Sequence, residues 1–148
     1  MRERDVRNAI QAALLATGAF SDVWLSGLPE NYGGAASDLT AAAIEPSGTS
    51  LTAGWDAQTA GDLSFTARLT VTLLARHNDP QLRDELAEQL LDYLHNAING
   101  QSLAGYTLPA KTLVHSWQWQ PPAPPERRIA AVVSFAYLIT WDGFDISQ

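Results

Sequence analysis

A chain of 148 residues that is 46% hydrophobic and 17% charged predicts one compact domain spanning residues 1–148. Its formal net charge of -7 excludes tight binding to nucleic acid, because there is no surplus of Lys and Arg to displace counterions from a phosphate backbone. The chain contains no cysteine, which excludes disulfides, thiolate zinc sites and cysteine nucleophiles.

The first predicted element is a helix over residues 5–17. Val6, Ile10 and Leu14 recur at helical spacing, and Gly18 follows as a stop. The charged N-terminus has no apolar signal region, and no run of eighteen apolar residues occurs, so we expect a soluble cytoplasmic product with no membrane segment. A short strand over 22–26 and a polar, glycine-bearing surface loop follow.

The next segments predict a strand and an arm. Residues 39–45 include Ile44 and end at Pro46, which favours a short strand over a helix. Residues 47–62 are rich in Gly, Ser, Thr, Ala and Asp and contain a single large apolar side chain, Trp55. We interpret this segment as an extended loop or hairpin arm. Trp55 either anchors a partner or folds back on its own domain.

Residues 64–76 alternate between apolar and polar side chains, and only Leu74 breaks the pattern. This alternation predicts a single strand of about thirteen residues, roughly 40 Å long and about twice the usual length. A small domain rarely buries such a strand alone. We therefore expect a sheet that overhangs its own core and meets a neighbouring subunit, which favours assembly rather than chemistry.

The second half of the chain predicts a helix and two strands. Asp79 and Pro80 form a helix start, because the carboxylate caps amide groups and proline has the φ angle of the first turn. Residues 112–120 alternate, which predicts a strand with Leu113, His115, Trp117 and Trp119 on one side. Residues 121–125 form a Pro-rich connection, expected to be stiff rather than a tight turn. Residues 128–141 predict a central strand covered on both faces.

This order of elements predicts an α+β domain. We expect an antiparallel or mixed β-sheet of about four main strands, with two helices packed on one face and an extended loop or hairpin arm.

Chemical motifs give little support for an enzyme. His77, His95 and His115 lie far apart, without the spacing of a zinc or catalytic site. Acidic pairs on the second helix are typical of a solvated face. The glycine-rich nucleotide loops and the nucleophile elbow of hydrolases are absent from the sequence. We expect no catalysis, no metal and no cofactor.

Aromatic and arginine side chains are the candidate contact residues. For Trp117 and Trp119, packing in the core or at an interface is favoured over stacking on bases or sugars. Eight of the nine basic residues are arginine, which reflects either interface use of the guanidinium group or a GC-rich genome. The interface candidates are Trp55, Arg68, Arg76, Trp117, Trp119, Arg127 and Arg128.

The whole order of elements resembles the tail terminator family of long-tailed bacteriophages, the group that includes the minor tail protein U type. The likeness covers nearly the full chain and consists of patterns of hydrophobic alternation rather than of invariant catalytic residues. The segments that carry it are the opening helix 4–15, the strand 64–76 with Ala75-Arg76-His77, the Asp79-Pro80 helix, the connection 103–109, and Arg127-Arg128 leading into Phe135-Ala136-Tyr137. Residues 47–62 depart most from the family pattern.

This resemblance implies a hexameric ring in the virion, made in the host cytoplasm and located at the head-proximal end of the tail. The ring would cap the tail tube, stop polymerisation of the tail tube protein and dock the head through a head-completion or neck protein. Six copies would carry a charge of -42, six times -7, so DNA would pass through without tight binding. Asp38, Asp56 and Asp62 are the candidate lumen acids. A head-completion or neck adaptor, or a small hydrolase using His77 or His115, are the alternatives.

Overall fold

A computed structural model describes residues 2–30, 32, 38–53, 62–105 and 107–140. It contains two helices and five strands: α1 (Arg2–Ala16), β1 (Asp22–Trp24), β2 (Leu39–Ala53), β3 (Asp62–Arg76), α2 (Pro80–Ile98), β4 (Leu113–Trp119) and β5 (Glu126–Thr140). Two short 3-10 turns, Leu103–Gly105 and Pro109–Lys111, link α2 to β4. The predicted α+β class is confirmed, with five strands in the described sheet instead of about four.

The sheet is mixed and has the order β1-β2-β3-β5-β4. β1 runs parallel to β2, and the other neighbours are antiparallel. β3 is the central strand and pairs with β5 along its full length, from Asp62 opposite Thr140 to Arg76 opposite Glu126. The long alternating segment is therefore a strand with a neighbour on both sides.

The core lies between this sheet and the two helices. α1 buries Val6, Ile10 and Leu14 completely, and α2 buries Leu94 and Ile98. They pack against the apolar side of β3 and β5, and each such side chain contributes about 1.5–3 kcal/mol when fully buried. The polar alternates of β3 lie on the opposite face, which explains the period of two in the sequence.

The start of α2 and the end of α1 are both determined by local interactions in the sequence. The Asp79 carboxylate accepts a hydrogen bond of 3.0 Å from the backbone N–H of Gln81, and Pro80 occupies the first turn of α2. Gly18, just past α1, has a φ of +75°, a conformation that costs glycine little. The predicted starts and stops of both helices are confirmed within a few residues.

Residues 47–53, the first part of the segment interpreted as an extended loop or hairpin arm, form a strand. β2 continues through Ala53 and pairs with β3, with irregularities between Pro46 and Gly48 and between Leu51 and Ala53. Such bulges let a strand of small residues follow its neighbour despite a proline. Residues 54–61 lie outside the described residues.

The predicted faces of β4 are also wrong. Val114 pairs with Val133 and Ser116 with Val132, so His115 is an extra residue in a β-bulge. A bulge moves the following side chains to the other face. The side chains on the helix-facing side are therefore Val114, Trp117 and Trp119, whereas Leu113 points to the opposite face.

Two expectations about β5 and its approach need correction. Ala123 and Glu126 exchange backbone hydrogen bonds of 3.3 and 2.8 Å, so residues 123–126 form a tight turn rather than a polyproline-like course. β5 lies next to the central strand instead of being central itself. Its Ala130 and Val132 are half-buried on the face opposite to the helices, so the expected cover on both faces is wrong for them.

Candidate assembly surface

The first candidate surface is a ribbon formed by β2, β3 and β5. Each strand has 15 residues, which corresponds to about 50 Å at 3.3 Å per residue. Ile44 is the last residue of β2 in the described core, and the strand continues for nine residues beyond it. Residues 45–48 of this continuation are exposed. The exposed part of β2 thus lies beside strands that remain buried, because Ala67 of β3 and Phe135 of β5 are fully buried.

The ribbon also presents an open face opposite the helices. Arg68 is exposed there, between Gly48 of β2 and Ser134 of β5. Ser47 and Thr70 share a hydrogen bond of 2.5 Å between their hydroxyl oxygens. Because the surrounding side chains are short, another protein surface can approach this face closely. The half-buried members of the face include Thr66, Thr70, Thr72, Arg128, Ala130, Val132 and Ser134.

A polar cluster closes one end of the open face. Tyr32 donates a hydrogen bond of 2.8 Å from its hydroxyl to Glu126 Oε2, and Arg76 forms a 2.7 Å ion pair with Glu126 Oε1. Arg128 contributes a 3.1 Å ion pair to Glu126 and a hydrogen bond to the Tyr32 hydroxyl. Both guanidinium groups lie over the Tyr32 ring, at 5.6 Å for Arg76 and 5.5 Å for Arg128. Tyr32 therefore holds the β1–β2 connection against the sheet.

The cluster shifts the protonation of two of its members. Burial by itself raises the pKa of Glu126, but the hydrogen bonds from Arg76, Tyr32 and Arg128 stabilise the carboxylate more, so the net pKa is lowered. Burial, followed by the hydrogen bond to Glu126, raises the pKa of the Tyr32 phenol. A charged carboxylate and a neutral phenol are thus the states that fit the cluster.

The tryptophan candidates lie at the β4 edge, and one arginine joins them. Trp117 is 49% exposed, and its ring meets His95 of α2 edge-on at 4.9 Å. Trp119 is half-buried against the core. The Arg127 guanidinium lies 4.7 Å from the centre of the Trp119 ring, and its Nε is 3.7 Å from Asp84. Of the two tryptophans on β4, Trp117 therefore leaves more of its ring free for a partner.

The remaining interface candidates differ in their availability. Arg68 is exposed, Arg128 is partly exposed, and Arg76 is engaged in the buried ion pair with Glu126. Trp55 lies outside the described residues. That these side chains contact other subunits stays a prediction.

The lumen candidates are only partly described. The Asp38 side chain is 69% exposed, with Oδ1 lying 3.8 Å from His77 Nε2. Asp62 begins β3, and Asp56 lies outside the described residues. Asp38 and the start of β3 occupy opposite ends of the β2–β3 ribbon, because Leu39 pairs with Arg76.

The three histidines are not brought together. His77 accepts a hydrogen bond of 2.9 Å from the backbone of Asp79, His95 contacts Asn99 and Trp117, and His115 is exposed in the β4 bulge. Within the described residues, no group of three or more His, Asp or Glu side chains could hold a metal ion. Each histidine thus has a separate local environment.

Sequence reasoning missed the Tyr32–Glu126 pair. The two residues are 94 positions apart, and the alternation that predicts strands says nothing of contacts across a sheet end. The only local signal was the tyrosine in a polar, glycine-bearing loop.

Neither helix, within the part of the chain that the structure describes, combines the length and apolar character needed to cross a membrane. Comparison of the chain with protein-family models and with curated proteins finds no match. Function must therefore be inferred from the surfaces of the molecule itself.

Proposed function

We propose that the protein is a structural virion protein, a tail terminator whose copies close into a hexameric ring at the head-proximal end of a bacteriophage tail. In this role the ring caps the tube, stops addition of tube protein and presents the docking surface for the head. The observation that carries the proposal is the long three-stranded ribbon of β2, β3 and β5, with 15 residues in each strand and an exposed stretch of β2 at residues 45–48.

Two further features support assembly. The open face of the ribbon carries short side chains around the exposed Arg68, so a neighbouring subunit can pack closely on it. The net charge of -7 per chain suits a ring through which DNA passes without binding.

The direct test is polymerisation of purified tail tube protein with and without this protein. We expect tubes of arrested length, each with a ring at one end in electron micrographs. We also expect a species of roughly 96 kDa in solution, six times 16.0 kDa, at least when tube protein is present. An unrelated protein of similar acidity is the control for effects of charge alone, and tubes that elongate normally would contradict the proposal.

The same experiment separates the adaptor alternative, and a substitution tests the hydrolase alternative. A head-completion or neck adaptor would form a ring and bind the portal-side protein but leave tube growth unchanged. The hydrolase alternative has one observation in its favour, the 3.8 Å separation of His77 and Asp38. It requires that His77→Ala abolish an activity while assembly is retained.

A further inference from the structure

Several parts of the sheet edges are closed by specific contacts in the described residues. On the β1 side, the Gln11 side chain donates a hydrogen bond of 2.8 Å to the Val23 carbonyl. The Arg7 side chain donates a hydrogen bond of 3.0 Å to the Leu25 carbonyl. These two α1 side chains, one helical turn apart, occupy acceptors that another strand would need. Such covering of an edge prevents unwanted strand pairing.

The far part of β5 and the start of β4 are closed as well. The Leu108 N–H donates a hydrogen bond of 2.8 Å to the Ala136 carbonyl, in the part of β5 that β4 does not reach. At the start of β4, the Val114 N–H donates a hydrogen bond of 2.8 Å to Asn99 Oδ1. The Thr112 carbonyl accepts a hydrogen bond of 2.9 Å from the backbone N–H of Gly100. The C-terminal end of α2 therefore caps this corner.

The rest of β4 has an edge whose backbone groups point away from the sheet. The Gln120 N–H donates 2.9 Å to the Arg128 carbonyl, so Gln120 faces β5. In an antiparallel pair, successive residues direct their backbone groups alternately toward and away from the partner. The N–H and C=O groups of Trp117 and Trp119 accordingly point away from β5, beside the half-exposed Trp117 ring.

A second edge of this kind lies on the arm. Gly27 lies so close to Glu45 that an added Cβ would fall 2.2 Å from its carboxylate, so the β1–β2 connection follows β2 to that point. Pro46 then lacks an N–H, and the irregularity before Gly48 interrupts the edge. Residues 48–53 continue β2 with no strand on their outer side among the described residues.

We infer that subunits of the ring associate through sheet continuation, with the β4 edge around Trp117 and Trp119 of one copy pairing with the arm edge at residues 48–53 of the next copy. This inference rests on the proposed ring. A ring requires a heterologous contact, in which two different patches meet, and these two edges differ within one chain. They are also similar in length, since the arm edge spans residues 48–53 and the uncapped part of β4 spans residues 115–119. Pairing them covers the Trp117 ring and satisfies the outward groups of both strands.

The absence of cysteine in the sequence permits a clean crosslinking test. Gln118→Cys is placed on β4, and Thr49→Cys and Ser50→Cys are made separately on the arm so that both faces of the arm are sampled. Under mild oxidation, a mixture of the Gln118→Cys protein with one arm variant should yield a disulfide-linked dimer, whereas each variant alone should not. Self-linked Gln118→Cys dimers would overturn the inference in favour of a two-fold β4 contact. Absence of any crosslink in assembled rings would also overturn it.

A pair of substitutions at one position isolates the backbone contribution. Trp117→Ala removes the ring and keeps the N–H, whereas Trp117→Pro removes both, and neither changes a ladder bond to β5. We expect Trp117→Pro to weaken each contact roughly three- to tenfold more than Trp117→Ala, the effect of one backbone hydrogen bond. Mass measurement across a dilution series reports this difference, and circular dichroism confirms that both variants fold. Equal association of the two folded variants would overturn the inference.

The outcomes distinguish this inference from the proposed function. Crosslinked rings that leave tube growth unchanged would retain the sheet contact and reject the terminator role. Rings that arrest tubes but form no β4–arm crosslink would retain the role and reject the contact.

Discussion

The phenol of Tyr32 connects parts of the chain that are distant in sequence. Its hydroxyl donates to Glu126 and accepts from Arg128, and its ring meets Trp24 at 5.9 Å between ring centres. Glu126 in turn neutralises Arg76, whose side chain is 10% exposed. Buried charged groups of this kind are tolerated only when each has its partners, so losing one member costs more than a single surface contact.

Replacing Tyr32 by Phe should therefore destabilise the fold. The variant keeps the ring but removes the hydroxyl between two charged groups, and we expect a loss of about 1–2 kcal/mol in the free energy of unfolding. Urea denaturation measures the change. The matched control is Tyr93→Phe, at a tyrosine that is 39% exposed on α2, which should alter stability by less than about 0.5 kcal/mol. Equal effects at both positions would show that the hydroxyl at 32 has no special role.

The lowered pKa of Glu126 predicts a pH dependence. A carboxyl group whose pKa is lower in the folded state than its ordinary value of 4.5 contributes stability above pH 4.5, and this contribution is lost as the pH falls through the folded pKa. We expect Glu126→Gln to be about 1–3 kcal/mol less stable than the natural protein at pH 7. The difference should shrink steadily below about pH 4.5.

Denaturation of both proteins between pH 7 and pH 3 measures this trend. Glu88→Gln is the matched control, because Glu88 is exposed on α2, and it should stay within about 0.5 kcal/mol of the natural protein at pH 7. A stability gap for Glu126→Gln that stays constant down to pH 3 would contradict the predicted role of its ionisation.

At the scale of elements, α2 is the clearest case of local sequence determining structure. Asp79 caps the first turn and Pro80 occupies it, so both signals in the sequence act through contacts with near neighbours. Asp79→Ala should remove the cap and destabilise the protein by about 1 kcal/mol. Thermal denaturation tests this, with Asp92→Ala, at an exposed position further along α2, as the control. A cap variant no less stable than this control would contradict the assigned role.

The strands show where sequence reasoning succeeds and where it stops. β3 could be predicted because its two faces differ, with Leu69 and Val71 toward the helices and Thr70 away from them. The continuation of β2 past Pro46 could not, because its small residues resemble a loop and its pairing depends on β3. The β4 bulge at His115 was hidden for a similar reason, since only the partner strand shows that one residue is extra.

The candidate site was less accessible to sequence reasoning than the fold. Trp117 and Arg68 were predicted as contact residues from their type, and the structure places both where a partner could reach them. The cluster around Tyr32 depends on a contact between residues 94 positions apart, which no periodic pattern contains. Periodicity predicts which face a residue lies on, and tertiary pairing decides which residues meet.

At the scale of the whole molecule, charge is the property most relevant to a ring. In the proposed ring each copy contributes -7, and electrostatic repulsion between such a ring and DNA depends on how much of this charge faces the lumen. Among the candidate lumen acids, Asp38 has a side chain that is 69% exposed. The effect of total charge on DNA passage can be separated from the effect of charge placement. Acidic residues of α2 allow a control variant with the same net charge.

Replacing Asp38, Asp56 and Asp62 together by Lys adds two charges at each position, which changes the net charge of a copy from -7 to -1. If these side chains line the lumen, phage particles carrying the variant should package or eject DNA several-fold more slowly, because the lysines would bind passing phosphates. Raising the salt concentration should weaken the effect, since the attraction is screened.

The control variant has the same net charge but changes Glu85, Glu88 and Asp92 on the exposed side of α2. It should package and eject DNA at the normal rate if the three candidate lumen acids, and not the acids of α2, face the passing DNA. Equal slowing by both variants would show that total charge, and not lumen placement, governs DNA passage. An unchanged rate in the first variant would remove these three acids from the lumen altogether.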